Sequence, residues 1–141
     1  MKGILGKSIN ELEAKKLTYL TESNSYLVAQ CFKLREKKLQ DYSIEDFRIM
    51  IGQGICLDWL MPLALDKLKD NIFAEGDFYP GDLLVNVLGI DKTYWTDKLA
   101  ELTILIALLE GSPPLTDNDS VPESVMKVIH QTLPELKSIK G

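Results

Sequence analysis

Residues Ala74 to Leu84, AEGDFYPGDLL, set Glu75, Asp77 and Asp82 among two aromatics, two glycines and a proline. Carboxylates at this density suit acid/base catalysis or oxygen coordination of a hard cation. A Mg²⁺ site would also want a phosphate-bearing substrate, and the stretch has no basic residue to hold one. The start of a helix accounts for the same residues without any reaction. With Pro80 as the first helical residue, Asp82 stands third and faces the unpaired amides at the positive end of the helix. Asp77 lies in the turn before it and can bond amides there. Gly76 and Gly81 let the backbone bend, while Phe78 and Tyr79 are placed to pin the turn to the core. The stretch reads as a scaffold.

Other reactive side chains are few. His130 is the only histidine, and Cys31 and Cys56 are the only cysteines, so the ligand sets of the common zinc sites cannot be assembled. A Cys56–His130 nucleophile pair is formally possible in space, but Cys56 begins a strongly apolar helix and His130 follows Val128-Ile129 on an amphipathic one. No phosphate loop, G-x-S-x-G or H-E-x-x-H occurs, and Gly52-Gln53-Gly54 is too short to cradle phosphate. The expectation is a protein with no catalytic residues, no metal and no cofactor.

The elements that carry these residues have helical periods, with no alternating strand pattern. Ser8 and Glu11 have capping-box spacing and open a helix toward Leu20. A second helix is predicted from Tyr26 through Lys37, with Leu27, Cys31 and Leu34 on one face. Lys33, Arg35, Lys37 and Lys38 at its end suit the negative pole of the helix dipole better than a nucleic-acid patch. Ser43 to Asp46 caps a third helix that stops at Gly52 or Gly54. Leu57 to Asn71 carries the clearest stripe, through Leu57, Leu60, Met61, Ala64, Leu65 and Leu68, with Pro62 on the far side. A short helix from Pro80 to Leu88 and a long one from Lys92 to Glu110 follow. The LTILIALL of the long helix is apolar all round, which places Leu102 to Leu109 at the centre. Pro122 opens a last helix toward Leu133. The gaps are short, so residues 1–141 are expected to form one compact all-α bundle of six or seven helices.

No export signal and no apolar run of membrane-spanning length is visible, so a cytoplasmic protein is expected, with Cys31 and Cys56 as reduced, buried small hydrophobes. Charge is unevenly placed. Residues 56–91 carry seven acids against two bases, a balance equal to the whole net charge of −5. Such a field repels nucleic acid and acidic membranes and attracts a basic partner. On the Leu57–Asn71 helix, Trp59, Leu63, Asp66 and Asp70 fall together opposite the apolar stripe. Covered by a neighbouring helix, Trp59 and Leu63 make a second core seam. Exposed, an aromatic beside two carboxylates makes a patch for a basic partner, which Asp117, Asp119 and Glu123 are candidates to extend.

Glu45 to Leu84, with its R-I-M-I-G-Q, its L-M-P-L-A-L and the eleven-residue block, resembles the immunity proteins of contact-dependent growth inhibition systems (the CdiI type). Ser25 to Ser43 is similar to the segment that precedes these blocks in that family. The chain departs from the pattern at Phe47, Cys56 and Ile72, where leucine, glycine and proline are commoner. The resemblance implies a cytoplasmic, non-enzymatic protein that needs no cofactor. Its partner would be the cognate CdiA C-terminal toxin domain. A monomer or a 1:1 complex is expected, with no direct contact to nucleic acid and none to membrane. Toxins of such systems are often nucleases with basic surfaces, in keeping with the acidic middle third. The shared blocks read as fold, with toxin specificity expected elsewhere. The alternative reading is a small acidic adaptor or regulatory subunit that binds a basic host protein.

Overall fold

A computed structural model of the chain describes residues 2–13, 26–111 and 121–141. They form α1 (Ile9–Leu12), α2 (Tyr26–Glu36), α3 (Ile44–Gly52), α4 (Leu57–Asp70), α5 (Asp82–Leu88), α6 (Thr93–Thr96), α7 (Leu99–Glu110) and α8 (Glu123–Lys140). Short 3-10 turns lie at Lys2–Ile4 and Leu39–Asp41, and β pairing among the described residues is confined to the isolated bridges Ser8–Lys38 and Glu75–Pro80. The class is all-α, as the periodicity predicts.

Five helices close a ring. α3 packs on α5, α5 on α8, α8 on α7, α7 on α4, and α4 back on α3. The ring encloses Met50 and Ile51 of α3, Leu60 and Ala64 of α4, Leu83 and Leu84 of α5, Leu102 and Leu105 of α7, and Val125 and Ile129 of α8, all essentially inaccessible. α2 adds to the outside of α3 and carries α1, while α6 rests on α7 and α8.

Local signals set several of these elements. Ser8 and Glu11 form a capping box at α1, and Ser43 and Asp46 form one at α3, each side chain meeting the other's backbone amide. Cys31 and Leu34 of α2 are buried. The predicted reach of the first helix to Leu20 lies outside the described residues beyond Glu13.

Five expectations are corrected. At the end of α2, Lys33 and Lys38 are exposed, but Arg35 is not part of a solvated cap: it is buried, and its guanidinium meets Asn10, Glu13 and the Cys56 thiol. Burial is the largest single influence and opposes its charge, but Glu13 and Cys56, by hydrogen bonding and charge together, more than offset it and raise its pKa. Cys56 is likewise not a buried hydrophobe; it is half-buried at the start of α4.

The predicted Lys92–Glu110 helix divides at Asp97-Lys98. Lys98 leaves helical geometry (φ −128°, ψ 49°) to bring its ammonium 3.2 Å from Asp58. Before the break, Tyr94 donates its hydroxyl to Glu101 at 2.7 Å. α7 is also not buried all round. Leu102, Leu105, Ile106 and Leu109 face the core, whereas Leu99, Thr103 and Ala107 are exposed. Finally, α8 continues past Leu133 to Lys140 through Pro134. The proline ring removes one N–H and leaves the His130 carbonyl without its helical donor. Both residues are exposed, so water can take that place.

Candidate functional site

The Ala74–Leu84 stretch folds as a loop stapled between α3 and α5. Asp82 is 1% exposed and accepts the Gly76 amide at Oδ1 (2.7 Å) and the Phe78 amide at Oδ2 (3.1 Å). Glu45, in the first turn of α3, accepts the Asp77 amide between them at 2.9 Å. Three successive N–H groups are thereby satisfied by two carboxylates from different helices. Arg48 joins the two acids. Its Nε donates to Glu45 Oε1 at 2.6 Å, its Nη2 donates to Oε2, and Nε lies 3.9 Å from Asp82 Oδ2. That bidentate pairing with Arg48 is the main reason the Glu45 carboxyl sits below the usual carboxylate range.

The details differ from the predicted helix start. α5 begins at Asp82, not Pro80, because Gly81 precedes it in the left-handed region (φ 93°). The Asp82 carboxylate turns back to the loop, away from the amides of its own helix. The Asp77 side chain is exposed and makes no hydrogen bond among the described residues; its backbone does the work expected of its carboxylate. Phe78 does not pin the loop to the core. It is 67% exposed, with the Arg48 guanidinium 4.3 Å from its ring centroid. Tyr79 is the aromatic that packs inward. Sequence reasoning did not single out Glu45 and Arg48, although their i,i+3 spacing on α3 was a usable signal.

The far face of α4 divides. Leu63 is buried but forms part of the floor of a groove of about 230 Å³, with Leu5, Leu39, Tyr42 and Phe47. Asp66, Lys67 and Asp70 stand on its rim. Asp66 has Lys69 at 3.7 Å, whereas Asp70 forms no ion pair among the described residues. Trp59 is half-buried against the core and is not part of the groove lining. Glu123 is exposed at the start of α8, whose neighbours are α5, α6 and α7. Asp117 and Asp119 lie outside the described residues. An apolar floor under a rim with two carboxylates and one ammonium, Lys67, suits the aliphatic stem and charged head of a lysine or arginine. No group of three or more histidine, cysteine, aspartate or glutamate side chains is arranged to hold a metal among the described residues.

The family model of CDI immunity proteins matches residues 11–105. The chain belongs to that family. No curated protein and no solved structure matches it. Within the CDI immunity family, proteins act as inhibitors of a toxin, not as enzymes. The matched residues contain the stapled loop and, apart from Leu5, the lining of the α4 groove. Cys56, where the family pattern favours glycine, has left-handed geometry at φ 55°, a conformation open to glycine without penalty. Here the cysteine gains the Arg35 hydrogen bond in exchange. No helix among the described residues is long and apolar enough to cross a membrane.

Proposed function

We propose that this immunity protein neutralises a basic toxin domain, of the nuclease kind, by stoichiometric binding in the cytoplasm, and that the α4 groove receives a cationic side chain of that toxin. The observation that carries the reading is the groove itself: apolar below, with Asp66 and Asp70 above beside Lys67, its rim drawn from the segment 56–91 whose charge balance equals the chain's net −5. Inhibition needs no reaction. A toxin whose cationic surface is covered loses access to its polyanionic substrate, and the acids compete for the same charges that nucleic acid would meet.

Co-expression with the toxin domain encoded beside this chain tests the proposal. The expected result is growth rescue and a 1:1 complex on gel filtration. Reversing both rim charges, Asp66→Lys with Asp70→Lys, is expected to leave folding intact and weaken binding by tenfold or more, about 1.4 kcal/mol. Toxicity undiminished by the wild-type chain would refute the function. Full protection by the double reversal would refute the groove.

A further inference from the structure

Phe78 is the most exposed large apolar side chain among the described residues. Single exposed aromatics are ordinary, but this one is fixed from below. Its amide is held by Asp82, and its ring rests on an Arg48 guanidinium that Glu45 and Asp82 hold in place. Such a ring has little freedom left to lose when a partner covers it.

Beside Phe78 lies an open depression of about 520 Å³, bordered by Ser43, Asp46, Ile49 and Asp77. The depression adjoins the α4 groove across the first turn of α3. Tyr42 and Phe47 line the groove, while their chain neighbours Ser43 and Asp46 line the depression. One partner surface can therefore straddle that turn and reach both. The charges agree. Arg48 is compensated by Glu45 and Asp82, and Lys37 by Asp46 at 2.6 Å. Glu75 and Asp77 are exposed and form no ion pair among the described residues, so the free charge at this end is negative.

Building on the reading that the chain binds a basic toxin domain, we infer that Phe78 is a preorganised anchor of the same interface, its outer face taking an arginine or lysine of the toxin beside Asp77. The aromatic provides contact area and a π face for the cation, and Asp77 provides the opposite charge. The stapled loop is then part of the interface as well as part of the fold.

The test measures binding of the purified toxin domain to the wild-type chain, Phe78→Ala, Phe78→Trp and Asp77→Lys, with melting temperatures for each. Phe78→Ala is expected to melt like wild type and to lose about 30-fold or more in affinity, chiefly through faster dissociation. Phe78→Trp keeps the area and the π face and is expected to retain wild-type affinity. Asp77→Lys is expected to slow association at low salt. Wild-type affinity in Phe78→Ala overturns the inference while leaving the function standing. An affinity loss shared by Phe78→Trp, or accompanied by a lowered melting temperature, makes Phe78 a structural residue and overturns it too. A wild-type chain that does not bind the toxin removes function and anchor together.

Discussion

Arg48 and Asp82 approach to 3.9 Å from two helices, α3 and α5, that are separated in the chain by the whole of α4. Their meeting gives the intervening loop a charged floor. Glu45 completes it, and the amides of residues 76 to 78 close over it.

Asp82→Ala is expected to be strongly destabilising. The carboxylate is buried and serves two amides besides facing a guanidinium, and hydrogen bonds to a charged group are worth roughly 1.5–3 kcal/mol each. A loss of about 3 kcal/mol in urea unfolding is the anticipated outcome. Asp82→Asn, which keeps one acceptor oxygen, should lose less. A loss near ~0.5 kcal/mol for the alanine variant would reduce Asp82 to a helix-dipole residue.

Stability should carry a pH signature from Glu45. Its folded pKa is depressed, chiefly by hydrogen bonding to Arg48, so at acid pH the unfolded chain binds more protons than the folded one. The contribution is fully present above the ordinary glutamate value of about 4.3 and is lost as pH falls from there through the lower folded value. Melting temperature recorded through that acid window should fall for wild type, and Glu45→Gln should flatten this part of the decline. Parallel curves for the two proteins would remove Glu45 from the acid response.

Two glycines of the loop are irreplaceable for different reasons. A Cβ at Gly76 would lie 2.6 Å from Glu45 Oε1 and 3.0 Å from Asp82 Oδ2, so Gly76→Ala pushes apart the carboxylates that hold the loop. Gly81→Ala combines a φ of 93° with a methyl 2.9 Å from Val125 Cγ1. Each is expected to cost about 1–3 kcal/mol, measured by thermal or urea unfolding. An unchanged Gly81→Ala would contradict the left-handed backbone there.

Association with the toxin is expected to be fast and salt-sensitive, with rates approaching ~10⁸ M⁻¹s⁻¹ at low ionic strength. Stopped-flow measurements should show salt slowing association more than it hastens dissociation, since exposed carboxylates such as Asp70 and Asp77 act mainly on encounter. A salt-independent association rate would refute electrostatic steering.

Much of the helical framework was legible because its signals are local. The Ser8–Glu11 and Ser43–Asp46 boxes span three residues, and the α4 stripe repeats within one helix. What escaped depends on residues far apart in the chain. Arg35 turns inward because Glu13 and Cys56 await it. Lys98, where the helical pattern breaks, pairs with Asp58 of α4. Asp82 was read as serving its own helix, when its partners are loop amides and an arginine on α3. The α4 face was half legible. Period placed Asp66 and Asp70 together, but could not tell that Leu63 would be a groove floor or that Trp59 would pack against the core.

The match to the family ends at residue 105, inside α7, yet the ring is closed by α8, which packs on both α5 and α7. Val125 of α8 also touches the site above Gly81 where the stapled loop turns into α5. The portion recognisable by family is therefore expected to need α8 in order to fold. A fragment cut at its boundary would expose Leu83, Leu84, Leu102 and Leu105 along an open seam, and would aggregate before it could protect a cell.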